Sequence, residues 1–331
     1  MSPARSPVIF STHSLHPVAV RILEQAGDLV VASAPDQETI LREGREADII
    51  VVRAPLPAAL FQDPPSLRAA VRHGAGLDMI PVEAATEAGV LVANVPAVNA
   101  PTVAEHVMMV TMALLRRFRH VDRDLRQEGW TTARAHADLG HDLAGRTMGI
   151  VGMGAVGRAV FKIANFGFGL NVVTATRSAN ALPEGVLRVD LDTLVAESDV
   201  IVLCCPLTVQ TRGLISRERI ARMKPDALLI NVSRGPVVDE AALLAALQNR
   251  SIAGAALDVY STQPLPADHP LLALDNVILT PHMAGITAES MMRMGTGAAE
   301  EAVRILSGKL PKNFCNPEVE ARYRRRFPEG G

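Results

Sequence analysis

Short apolar runs, each followed by residues with helical spacing, recur along the whole chain. Residues 8–10, 49–52, 69–72 and 90–93 form a first group, and 147–151, 170–175, 200–204, 227–231, 253–257 and 277–279 a second. Such alternation predicts parallel strands covered by helices, and there are too many strands for one compact sheet. The chain therefore reads as α/β, with two doubly wound parallel-sheet domains. Between the groups, residues 102–117 have helix length, a start at Pro101 and one apolar face made by Val103, Val107, Val110 and Leu114. This segment is expected to cross from one domain to the other. No internal repeat or low-complexity segment interrupts the pattern, and the basic end Arg322-Tyr323-Arg324-Arg325-Arg326 reads as a solvated tail.

A length of 331 residues with 48% hydrophobic residues is enough for two buried cores. A formal charge of -2 gives no electrostatic footprint for nucleic acid. Cys204, Cys205 and Cys315 lack zinc-ligand spacing, and an odd count of three argues for packing residues in a reducing compartment. Residues 1–20 have no sustained apolar region, and no later stretch has the roughly 18 apolar residues that crossing a membrane requires. The expected protein is soluble and cytoplasmic, with no membrane, nucleic-acid or metal partner.

Chemistry enters at Gly152-Met153-Gly154-Ala155-Val156-Gly157, where the run 147–151 turns into an amphipathic segment. The first glycine permits a tight turn, the second lets backbone approach a pyrophosphate, and the third packs helix against sheet. Phosphate would sit on the helix N-terminus. At the end of the next strand, Thr176 lies 19 positions after Gly157, where a ribose-binding carboxylate belongs. The sequence has Thr176-Arg177-Ser178 instead, with a guanidinium able to pair with a 2′-phosphate. This favours NADP and leaves NAD possible; a solvated loop arginine is the bland alternative.

Three further residues lie at ends of predicted parallel strands, where open α/β sheets place their ligands: Arg234, Asp258 and His282. An arginine there can hold a carboxylate bidentately, and a histidine can exchange a proton with a carbonyl oxygen while hydride moves to or from a nicotinamide. Singly they also read as a surface ion-pair partner, a cap and a loop histidine. Together with the glycine motif they make a site.

With these residues in place, the chain resembles the D-isomer-specific 2-hydroxyacid dehydrogenases over roughly residues 49–317. His73-Gly74-Ala75-Gly76-Leu77-Asp78 is similar to that family's substrate-carboxylate loop, Val103-Ala104-Glu105-His106 to the start of its interdomain helix, and Pro206-Leu207-Thr208 to its cofactor-proximal turn. The resemblance implies a flavodoxin-like substrate domain from residues 1–100 and 286–331, a Rossmann nucleotide-binding domain from 101–285, a cleft between them and a homodimer. It implies that Arg234 binds the substrate carboxylate and carbonyl, that His282 is the acid/base, and that Asp258 holds the carboxamide. Gly74, Ala75 and Gly76 would offer backbone N–H groups to substrate, joined by Arg53 and Asn99. Cys204, Pro206, Val232, Ser233, Ala284 and Gly285 would complete the cofactor site.

One position departs from the family pattern. Where a glutamate usually hydrogen-bonds the catalytic histidine, Gln263 precedes Pro264. A neutral amide can orient imidazole but cannot stabilise imidazolium by charge. Formate dehydrogenases of the family resemble the chain here and at Asn99, and their hydride transfer needs no enzyme acid. Arg53-Ala54-Pro55 and the short N-terminus resemble the 2-hydroxyacid branch instead. Met79 and Ala155 are lesser departures, the second leaving pyrophosphate to backbone N–H groups. The reading is hydride transfer between NADP(H) and a small 2-ketoacid or D-2-hydroxyacid, such as glyoxylate or hydroxypyruvate. The alternatives are a formate-type reaction or a dinucleotide-sensing, co-repressor-like binding protein.

Overall fold

The computed structural model describes residues 5–177 and 182–328. It divides into two compact units, Met1–Asn99 with Ile286–Gly331, and Ala100–Gly285.

The first unit holds strands β1 (Val8–Ser11), β2 (Asp28–Val31), β3 (Ile49–Val52), β4 (Ala69–Arg72) and β5 (Leu91–Ala93). They form one parallel sheet in the order β2-β1-β3-β4-β5, the flavodoxin-like arrangement. Both faces are covered, which explains why the strand runs are continuously apolar rather than alternating. Along β3, Ile49 and Val51 enter the core that also contains Ala298 and Ile305 of the helix Ala288–Leu306. Ile50 and Val52 enter the opposite core with Phe10, Ile40 and Phe61.

The second unit holds β6 (Thr147–Val151), β7 (Asn171–Ala175), β8 (Val186–Arg188), β9 (Val200–Leu203), β10 (Leu228–Asn231), β11 (Gly254–Leu257) and β12 (Val277–Leu279). Their parallel order is β12-β11-β10-β9-β6-β7-β8, a Rossmann sheet whose direction of winding reverses between β6 and β9. Again neighbouring residues feed different cores: Val200 and Val202 pack with Met148 and Val160, Ile201 and Leu203 with Leu229 and Leu243. Cys205 belongs to one of these cores, and all three cysteines are free thiols.

Three expectations need correction. The edge strands β2 and β8 carried no clear signal, because Val30, Val31 and Leu187 face solvent rather than a core. The helix of residues 102–117 is Ala100–Leu115, and it lies wholly within the second unit. The basic end is no solvated tail: Glu320–Arg326 is a helix that buries Tyr323 in the first unit's core. Arg326 donates to the carbonyls of Ala88 and Pro64, and its guanidinium stacks over Phe327. Burial of the aromatic rings, with their arginine stems laid alongside, outweighs the solvation of the charges.

Candidate active site

The glycine motif connects β6 to the helix Ala155–Phe168. Gly152 has φ +96°, and a Cβ there would come within 3.0 Å of Cys205 backbone atoms. A Cβ on Gly157 would collide with the Gly152 carbonyl, so helix and turn meet only because residue 157 is glycine. At Gly154 a Cβ would meet nothing within 4 Å. That open space adjoins the helix N-terminus, where Gly154 is an N-cap without a capping side chain and the first N–H groups are left for a ligand. The residues thus fit a dinucleotide pyrophosphate.

An open groove of about 600 Å³ runs along this turn. It is lined by the motif's Gly152 to Ala155, by Thr176 and Arg177 after β7, and by Cys204 and Pro206 after β9. Among the described residues that line it, Arg158 and Arg177 are the cations and none is a carboxylate. Ser178 lies outside the described residues. Burial pushes the Cys204 and Cys205 thiols up, so both stay protonated and serve as packing surface.

Farther along the sheet, β10 ends at Asn231, whose side-chain oxygen accepts from the Ser233 N–H (3.0 Å) and hydroxyl (2.9 Å). Its amide nitrogen donates to the Arg234 carbonyl at 3.1 Å. The Val232-Ser233-Arg234 loop is therefore braced by the strand that carries it, and Arg234 Nη1 donates to the Ser233 carbonyl at 2.6 Å. A Cβ on Gly235 would fall on the Tyr260 carbonyl, so this glycine lets the β10 loop press against the loop after β11.

That second loop carries Gln263, and its side-chain oxygen lies 3.0 Å from Nδ1 of His282 after β12. The same amide turns Nε2 toward the Tyr260 carbonyl at 3.4 Å, which fixes Oε1 as the acceptor. In the neutral ring Nδ1 then carries the proton and Nε2 is the acceptor nitrogen.

Asp258 is almost wholly buried and does more than its sequence position indicates. Its carboxylate accepts from the Thr280 hydroxyl (2.6 Å) and from the N–H groups of Met283 (2.8 Å) and Ala284 (2.9 Å). Its carbonyl accepts from the His282 N–H at 2.9 Å. Tyr260, whose hydroxyl is pushed up to about 12 by burial and then by the Asp258 charge, donates to the carbonyls of Leu257 and Thr280. His106 also approaches this network, and burial holds its imidazole below the usual range against the opposing pull of Asp258. Sequence reasoning missed these braces; no local spacing signals them.

In the first unit, Arg53 follows β3, Gly74 to Gly76 follow β4, and Asn99 lies in the turn ahead of the helix Ala100–Leu115. Gly74 has φ +137°. Arg72 folds this loop, donating to the carbonyls of Val52 (2.9 Å), His73 (2.6 Å) and Gly76 (3.0 Å), while Asn94 donates to the Ala75 carbonyl at 2.8 Å. Arg53 donates through Nη1 to the Ser14 carbonyl and lies 3.5 Å from His13 Nδ1, so part of its role is to brace the loop after β1. His73 is buried, and desolvation followed by the charges of Arg53 and Arg72 holds it down at about 4. Thus each unit gathers its candidate residues at the carboxyl ends of its own strands.

Residues 108–284 match the family described as D-isomer specific 2-hydroxyacid dehydrogenase, NAD binding domain. A glyoxylate reductase of Korarchaeum cryptofilum is 37% identical over 322 residues, covering 95% of this chain and 97% of its own length. A glyoxylate/hydroxypyruvate reductase B of Serratia proteamaculans is 39% identical over 86% of this chain and 89% of its own. Among solved structures, an NADPH-dependent glyoxylate/hydroxypyruvate reductase of Sinorhizobium meliloti, in complex with NADP and malonate, superposes with a TM-score of 0.82. Its sequence is 28% identical, and the match covers 95% of this chain and 98% of that one.

Proposed function

The chain belongs to the D-isomer-specific 2-hydroxyacid dehydrogenases, and from that premise we propose that it reduces a small 2-ketoacid, such as glyoxylate or hydroxypyruvate, with NADPH. The observation that carries this reading is the Gln263–His282 pair, at the carboxyl ends of the same sheet's strands as the glycine cradle and Arg234.

Bound dinucleotide would supply the hydride. The N–H groups at the start of the helix Ala155–Phe168 would hold its pyrophosphate, and Arg177 would pair with a 2′-phosphate. Arg234 would hold the substrate carboxylate and polarise the carbonyl, so that charge developing on the oxygen meets a guanidinium. His282 Nε2 would deliver the proton to that oxygen, with the Gln263 amide keeping the ring oriented. Asp258 would hold the carboxamide with the acceptor capacity its loop contacts leave. Arg53, Asn99 and the Gly74-Ala75-Gly76 backbone would serve the substrate.

The same pair supports a second reading. An amide partner lends imidazolium no charge stabilisation, which suits a formate-type hydride transfer in which the enzyme gives up no proton. Turnover separates the two: 2-ketoacids with NADPH should be consumed, and formate with NADP or NAD should not. Arg234→Ala should lose at least about two decades in kcat/KM. Formate oxidation without 2-ketoacid reduction would replace the first reading with the second, and dinucleotide binding without any turnover would favour a sensor.

A homodimer belongs to the proposal, supported by exposed Phe118 and Trp130 on the helices Phe118–Gln127 and Trp130–Ala137. A monomeric mass in solution would remove it. No helix among the described residues is long and apolar enough to cross a membrane. The three free thiols support a reducing, cytoplasmic setting, which fractionation would test.

A further inference from the structure

His282 stands at φ +55°, a left-handed conformation that is strained for a non-glycine residue and persists only where its surroundings impose it. The surroundings are visible. Three consecutive N–H groups, those of His282, Met283 and Ala284, all donate to one residue, Asp258, through its carbonyl, Oδ1 and Oδ2 in turn. The His282 N–H is shared between the main-chain carbonyls of Asp258 and Thr280, while the Asp258 carboxylate pins the next two residues and so holds the turn that presents the imidazole.

Asp258 is in turn held from behind. Thr280 has one hydroxyl proton and donates it to Oδ1 at 2.6 Å, since a carboxylate can only accept. Its oxygen can then only accept from His106 Nε2, 3.5 Å away, which makes His106 the Nε2–H tautomer and the donor. Both residues are shielded: His106 is buried on the helix Ala100–Leu115, and Thr280 is part-buried at the end of β12. Nothing in the proposed chemistry requires either to touch substrate or cofactor.

We propose that Thr280 and His106 are positioning residues for the reaction: the donor chain from His106 through Thr280 to Asp258 locks the carboxylate that holds the His282 turn. The proposal rests on the reading of His282 as the acid/base of a 2-ketoacid reductase. Merely structural residues would affect stability alone; positioning residues must also move His282.

Thr280→Val keeps the side-chain shape and removes the hydroxyl. It should lower kcat about tenfold to a hundredfold, the scale of a lost hydrogen bond to a charged group, with the 2-ketoacid KM within about twofold. Thr280→Ser should restore kcat to within about threefold, because it returns the donor. His106→Leu should act in the same direction more weakly, given its longer contact, and His106→Gln should recover part of the loss. In parallel, ring-nitrogen NMR of ¹⁵N-histidine-labelled protein should show His106 as the Nε2–H tautomer and a shift of the His282 signals in Thr280→Val. Folded Thr280→Val with normal kcat and unmoved His282 signals would overturn the proposal, and so would Thr280→Ser as impaired as Thr280→Val. If the unaltered protein reduces no 2-ketoacid, the reductase reading falls by itself. The NMR comparison then decides: shifted His282 signals uphold the positioning role, and unmoved ones overturn it.

Discussion

Replacing Gln263 by glutamate puts a charge where the structure has an amide oxygen 3.0 Å from His282 Nδ1. Glutamate has nearly the same shape, so the geometry should persist while the electrostatics change. Two unit charges about 4 Å apart interact by about 1 kcal/mol in bulk water and about 4 kcal/mol at an effective dielectric of 20. Both side chains are exposed, which puts the interaction near the lower figure after solvent screening. One kcal/mol corresponds to roughly 0.7 of a pKa unit, so a shift of about one unit is expected. Carbonyl reduction needs the protonated imidazole, and the carboxylate stabilises that form. The falling limb of 2-ketoacid reduction should therefore move up by about one pH unit in Gln263→Glu, and His282→Ala should abolish reduction in either background. The assay is kcat/KM for a 2-ketoacid from pH 5.5 to 9, with deuterated NADPH used to confirm that hydride transfer limits the rate. Overlaid profiles under that condition would refute the argument and detach residue 263 from the tuning of His282.

Three other perturbations test separate parts of the account. Arg177→Ala should remove most of a preference for NADPH over NADH, by about one to two decades in kcat/KM, and equal use of both by the unaltered protein would remove the 2′-phosphate assignment. Gly235→Ala would force a Cβ onto the Tyr260 carbonyl, costing about 1–3 kcal/mol and lowering kcat as the Arg234 loop is pushed from the Gln263 loop; an unchanged melting temperature would contradict the packing. His73 is held down at about 4 by burial, then Arg53 and Arg72, so the folded protein binds fewer protons than the unfolded chain from about pH 6.5 down to 4. Stability should fall with pH across that window, by roughly 2 kcal/mol at pH 5, and His73→Gln should flatten the trend in the urea midpoint; the same slope in both proteins would assign it elsewhere.

What the sequence reveals is local, and what it hides is made by distant contacts. The strands β3, β4, β6 and β12 are legible to the residue because both sheet faces bury side chains and leave continuous apolar runs. β2 and β8 are edge strands whose Val30, Val31 and Leu187 face solvent, which removes that selection, whereas β12, also at an edge, keeps its apolar run because Val277, Ile278 and Leu279 pack against the cores. The basic C-terminal run misleads because its charges mask the apolar contribution of Tyr323 and Phe327. In the site, Gly152 to Gly157 can be recognised because a strand, a turn and a helix start within one short segment. The bracing of Asp258 cannot, since it joins Thr280 across 22 positions and reaches His106, 174 positions from Thr280. The Asp258 position suggests a ligand contact, and only the folded chain displays its second task.

The most direct test of the central claim is the product formed from hydroxypyruvate and NADPH. Glycerate of the D configuration is expected from the unaltered protein, in amounts equal to the NADP produced, and none from His282→Ala. L-glycerate, or NADPH left unconsumed while the dinucleotide binds, would contradict it.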